Sequence, residues 1–165
     1  MLVYHCSFDV HHTMFRYLLL LEHSPNRALR TDALRILDLY FMFPYLLSDF
    51  DYPKGLGKEG RSLAGEPSKY NTIPTPRLFL HQLRGLSDLA LAALAGKDLL
   101  DAAALKQGTA LRTKKDLPVE ISAGASSADD RLAAFLGSRL GAIEVSGDAG
   151  LKKRSRLMEH RYDAA

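Results

Sequence analysis

The chain has 165 residues, 47% of them hydrophobic and 25% charged, enough apolar material for a core and too much for general disorder. Its formal charge of +3 is mild, and residues 151–161 alone carry five Lys and Arg against Glu159, so the basicity is local, which suits one anionic contact better than a general polyelectrolyte. A single cysteine, Cys6, excludes an intrachain disulfide framework.

A first helix is predicted from Asp9, a capping residue, because Val10, Met14, Tyr17, Leu18 and Leu21 follow on one helical face. A second is predicted to restart at Ser24 with Pro25 in its first position, and Leu29, Ala33, Ile36, Leu37 and Tyr40 repeat the spacing. Leu34, Leu39 and Phe41 widen that stripe, so burial on more than one side is expected, and Pro44 ends the helix. From Asp51 to Thr75 the periodicity disappears among glycines, prolines and charges, which predicts a long flexible loop. Helix resumes at Thr75 and Pro76 and runs to a stop at Gly96, with another short turn between Asp98 and Leu105. Leu117 to Ser122 reads as a short strand. Ser127 can cap a further helix with Leu132, Phe135, Leu136 and Leu140 inward and Gly141 at its end. "AIEV", "SGDAG" and "LKKRS" then read as a β-hairpin, although Leu151, Ser155, Met158 and Tyr162 would also share one face of a helix.

This order predicts a single α+β domain, mainly helical, over residues 1–165. Residues 1–50 form a helical hairpin, 51–75 a flexible loop, and 76–165 a winged-helix-like part ending in a small C-terminal β-hairpin. The densest apolar stretch, Leu39 to Leu47, is far short of the ~20 residues that span a bilayer, and the N-terminus lacks the pattern of a signal peptide. A cytoplasmic protein without membrane contact is expected.

Chemistry-like patterns are weak. Gly55, Gly57 and Gly60 have the spacing of a dinucleotide fingerprint, but Asp51, Tyr52 and Pro53 precede them instead of a strand, and no helix start is read after them. His5, Cys6, Asp9, His11 and His12 are metal-ligand types, yet adjacent histidines on a helix point about 100° apart. Asp129 and Asp130 fit first-turn charges of a helix. No nucleophile, base and orienter stand in a recognisable pattern, so no enzyme activity, cofactor or metal is expected.

The strongest polar feature is the terminal "GLKKRSRLMEHRY". Lys152, Lys153, Arg154, Arg156 and Arg161 are its partner or DNA contacts. Leu151, Leu157, Met158 and Tyr162 are the apolar anchors beside them, on the protein's own core or on a partner. A solvated, charged edge strand is the plain alternative. Arg77, Arg112, Lys114 and Lys115 extend the basic patch if the fold brings them near.

Four blocks, "FDVHHTMFRYLLLL", "ALRILDLYFMFPYLL", "NTIPTPRLFLHQL" and "GLKKRSRLMEHRYD", occur in this order and cover most of the chain. Together they resemble the middle component of bacterial ABC-three-component systems. Arg156 stands where that final block is expected to carry a small residue, often Gly. The resemblance implies a non-enzymatic accessory subunit in anti-phage or anti-plasmid defence, of the Lamassu type. It would dock on an SMC-like ATPase, help assemble that ATPase with a nuclease effector, and contact DNA non-specifically. The rival reading is a free-standing winged-helix DNA-binding transcriptional regulator, expected to be a symmetric dimer. The helix "DDRLAAFLGSRLG" offers it few base-reading side chains beyond Arg131 and Arg139.

Overall fold

A computed structural model describes residues 8–158. Arg161 and Tyr162, together with His5 and Cys6, lie outside the described residues. Helix α1 (Val10–His23) starts on the Asp9 cap, whose carboxylate accepts from the backbone N–H groups of His11 and His12 at 2.7 and 3.0 Å. Its expected face is buried apart from the half-buried Val10, and Thr13, Arg16, Leu19 and Leu20 are buried too, because α1 is covered by several elements at once. It packs against α2 (Thr31–Met42), α5 (Arg84–Gly96) and α8 (Ser127–Ala134) with the π-helical turn that continues α8 through Phe135–Leu140.

The expected second helix does not begin at Pro25. Asn26 and Arg27 take left-handed backbone angles, with φ of 55° and 54°, and break the run. Ala28–Arg30 then forms a strand, β1, and α2 starts only at Thr31. The partner of β1 is distant: β2 (Thr109–Leu111) pairs antiparallel with it, Leu29 opposite Ala110. The helix α2 is buried on more than one side, as its widened stripe predicts, and it stops before Pro44, which opens a 3-10 turn, Pro44–Asp49.

The predicted loop 51–75 divides into two parts. Residues 51–64 are built around Phe50 and Tyr52 and contain a short helix, α3 (Gly57–Ser62). Gly60 is buried beneath Tyr52, and a Cβ there would lie 2.2 Å from the Tyr52 hydroxyl oxygen. The glycine pattern serves packing. Residues 65–72 are exposed, and Tyr45 ties the far end down by accepting from the Ile73 N–H at 3.0 Å.

Helix α4 (Pro76–Gln82) leads almost directly into α5 (Arg84–Gly96), followed by α6 (Ala102–Lys106), capped by Asp101. The strand expected at Leu117 to Ser122 is instead a helix, α7 (Val119–Gly124). No neighbouring strand is there to receive it, and the Pro118 carbonyl accepts from the Ile121 and Ser122 N–H groups, starting a helical turn. Helix α8 is capped by Ser126, one residue earlier than expected. Its π-helical continuation ends at Gly141, and Leu132, Phe135, Leu136 and Leu140 are buried as expected. Gly137 lies so near α1 that a Cβ would stand 2.6 Å from the Leu20 carbonyl oxygen.

The C-terminal β-hairpin does not form. The chain turns at Gly147. The Leu151 and Lys152 N–H groups donate to the Glu144 and Val145 carbonyls at 2.7 and 3.0 Å. The next carbonyl, that of Gly150, is then taken by the Arg154 N–H at 3.0 Å, and the chain coils into α9 (Leu151–Ser155). The fold is mainly helical with one small antiparallel sheet among the described residues, and the winged-helix expectation loses its wing. One buried apolar cluster runs from Met14 to Leu157. No helix among the described residues is long and apolar enough to cross a membrane.

Candidate functional site: the basic cleft beside the last helix

The residues of α9 divide sharply by what they touch. Leu151 is fully buried, and Leu157, just beyond the helix, is 7% exposed, so both anchor the element on its own core. Lys152 is buried as well, contrary to its expected place on an outward basic face. Its Nζ lies 3.0 Å from the Asp32 carboxylate in the first turn of α2. Arg154 is half-buried. Its Nε donates to the Ala149 carbonyl at 2.7 Å and its Nη1 to the Asp51 carbonyl at 3.0 Å, while the Asp51 N–H donates back to the Arg154 carbonyl at 3.3 Å. These bonds sew the end of α9 to the chain that follows the 3-10 turn. Lys153 and Arg156 face solvent, Lys153 with a loose 3.7 Å approach to Asp148. Met158 is half-buried.

Arg156 ends α9 in the left-handed conformation, φ 61° and ψ 18°, with its N–H donating to the Lys152 carbonyl at 3.0 Å. This is the helix-ending position that glycine occupies most easily. The small residue expected there thus has a backbone reason.

Asp32 is a junction. Burial works to raise its carboxyl pKa, but the Lys152 ammonium and the Arg35 guanidinium outweigh it and hold the group below the usual carboxylate value. Arg35 reaches Asp32 at 3.2 Å, pairs with Asp88, and donates through Nε to the Ser87 hydroxyl at 3.0 Å. Ser87 in turn accepts from the Tyr17 hydroxyl at 2.6 Å. A polar chain therefore runs from Tyr17 in the core through Ser87, Arg35 and Asp32 to Lys152, joining α1, α5, α2 and α9.

Above this chain lies an open cleft of about 580 Å³. Asp32, Arg35 and Lys152 line it from α2 and α9, Leu157 and Met158 from the segment after α9, and Thr75, Arg77, Leu78, Leu80, His81 and Arg84 from the α4–α5 segment. Arg77 joins Lys152 here, as the extended patch requires. Arg112 does not: it is buried, and it donates to Glu22 at 2.7 Å, the Leu99 carbonyl at 2.7 Å and the Lys115 carbonyl at 2.9 Å. Lys115 donates to the Lys97 carbonyl. The sequence reading missed His81 and Arg84. The signal was present, because Arg77, His81 and Arg84 recur at the spacing of one helical face.

His11 and His12 are exposed on α1, and no group of three His, Cys, Asp or Glu side chains suited to a metal occurs among the described residues. The buried Arg16 grips the buried Asp38 with two bonds of 2.5 and 3.1 Å.

The family model for ABC-three component (ABC-3C) system Middle Component 5 matches residues 2–163. No curated protein and no solved structure matches the chain.

Proposed function

Because the chain belongs to the ABC-three component system Middle Component 5 family, we propose that it is a non-enzymatic accessory subunit that docks on an SMC-like ABC ATPase. The setting is a bacterial anti-phage or anti-plasmid defence complex of the Lamassu type, with a nuclease effector assembled through that ATPase. Family membership supports an accessory role beside other system components; the ATPase, the effector and the defence role are this proposal's own content.

The observation that carries the docking part is the way α9 is held. Two buried leucines, the Lys152–Asp32 pair and the bonds to Asp51 fix it rigidly, while Lys153 and Arg156 still face outward. Fixed charges on a rigid element lose little freedom when a partner binds. The buried Arg, Tyr and Asp groups also serve structure: Arg112 clamps two segments and Arg16 neutralises Asp38. That use favours a binding protein over an enzyme.

The test is co-purification from cells that carry the whole system, with wild type and a Lys153→Ala/Arg156→Ala double variant as tagged baits. These two side chains are exposed, so the variant should fold. Recovery of a large ATPase with wild type, reduced at least several-fold with the variant, is expected. Failure of wild type to recover any component of its system would end the proposal.

A further inference from the structure

We infer that the outer face of α5 pairs two copies of this chain, with the two helices antiparallel about a two-fold axis. This goes beyond the accessory-subunit reading above and does not depend on it.

The helix is apolar on two opposite sides. Ser87, Ala90, Leu91 and Leu94 turn inward, where α5 packs on α1. Gly85, Leu89, Ala92 and Gly96 follow one another at intervals of four, three and four residues, which places them together on the side away from α1. All four are exposed, Leu89 at 58%. A Cβ added at Gly85 or Gly96 would meet nothing within 4 Å. A helix at a protein surface ordinarily turns polar groups to water, and one that is apolar all round is covered. From Leu89 to Gly96 α5 holds only Leu, Ala and Gly, yet its outer side lies open.

Shape selects a second copy. Intervals of four, three and four are those of a seam between two paired helices. About an axis passing between Ala90 and Leu91, Leu89 of each copy meets Ala92 of the other, and Gly85 meets Gly96. Each projecting leucine finds a small residue opposite, and the glycines at both ends let the helix axes approach to about 8 Å. A face that carries both the knob and its hole is complementary to itself, which is what a two-fold contact requires. No like charges oppose the pairing at its centre. Asp88, at the edge of the face, is held by Arg35 of α2, and no charged residue lies between Asp88 and Lys97.

The experiment follows the full chain by sedimentation velocity over a range of concentrations, beside Leu89→Glu. Leu89 is exposed, so the variant should fold, and its circular-dichroism spectrum checks that it does. Wild type is expected to sediment as a dimer at high concentration, and Leu89→Glu should raise the dissociation constant at least tenfold. Register is read with two single-cysteine chains in a Cys6→Ser background, Gly85→Cys and Gly96→Cys, both placed where an added side chain meets open space. An equal mixture should form disulfide-linked dimers. Either chain alone should not, because like positions stand about 16 Å apart along the antiparallel pair, too far for a disulfide. The cysteine pair decides alone if Leu89→Glu misfolds. A wild type that stays monomeric at the highest concentration overturns the proposal. So does a dimer that folded Leu89→Glu leaves intact, or one in which either single-cysteine chain links to itself as readily as the mixture.

Discussion

Two side chains in the last helix carry opposite kinds of strain, and both can be measured. Arg156 holds a left-handed conformation that costs an L-residue with a Cβ on the order of 1 kcal/mol. We expect Arg156→Gly to stabilise the protein by about 0.5–1 kcal/mol, read as a higher urea midpoint; an unchanged or lower midpoint would show that its side chain contributes more than the backbone loses. Lys152 is the reverse case, a buried ammonium whose removal leaves Asp32 with Arg35 alone. Lys152→Met should cost about 1–2 kcal/mol at neutral pH, less than a fully buried pair because Asp32 is partly exposed. The sign of its pH dependence follows from Asp32. The folded carboxyl titrates below the ordinary value of 3.8, so its contribution is complete above that value and is lost as pH falls through the folded one. The gap between wild type and Lys152→Met should therefore close in strongly acidic urea melts and remain open at pH 7.

Elements read from local signals came out well, and elements that depend on distant partners did not. The Asp9 cap, the stop before Pro44, Pro76 at the start of α4 and the inward face of α8 all rest on chemistry within one or two turns. Ala28–Arg30 looked helical because Leu29 fits the spacing of α2, yet its partner β2 lies about eighty residues onward, where no local pattern points back to it. The run from Leu151 to Ser155 is too short for either period to win. Its choice is made by Gly150 and by Leu151 entering the core. The cleft was half legible: the terminal basic run supplies Lys152, while the α4–α5 wall needed the fold to bring it alongside. The π-helical turn was invisible in sequence and has its own test. Gly137→Ala sets a methyl against the Leu20 carbonyl, a backbone atom with little room to move. We expect a loss of about 1–3 kcal/mol in thermal or urea unfolding, against near-neutrality for Gly96→Ala, where the added methyl meets open space.

Across the whole molecule, α9 belongs to the core and is not an appendage. Ending the chain after Gly150 removes Leu151 and Leu157 from the buried cluster, at about 1.5–3 kcal/mol each, and leaves Asp32 with Arg35 alone. The truncated chain should melt well below wild type and expose Tyr17 to faster local opening, read by hydrogen exchange in α1 and α2. Lost assembly in such a truncation would then report folding as much as docking, which is why the exposed Lys153 and Arg156 are the sharper probes. The polar chain from Tyr17 to Lys152 has one more consequence, in time. Lys152 follows Asp32 by 120 positions, so the pair closes a long loop that local helix formation cannot shorten. During synthesis α1 and α2 leave the ribosome long before the residue that neutralises Asp32 exists. The cleft, whose floor needs both ends of that chain, is thus among the last features of the fold to be completed, once translation has passed α9.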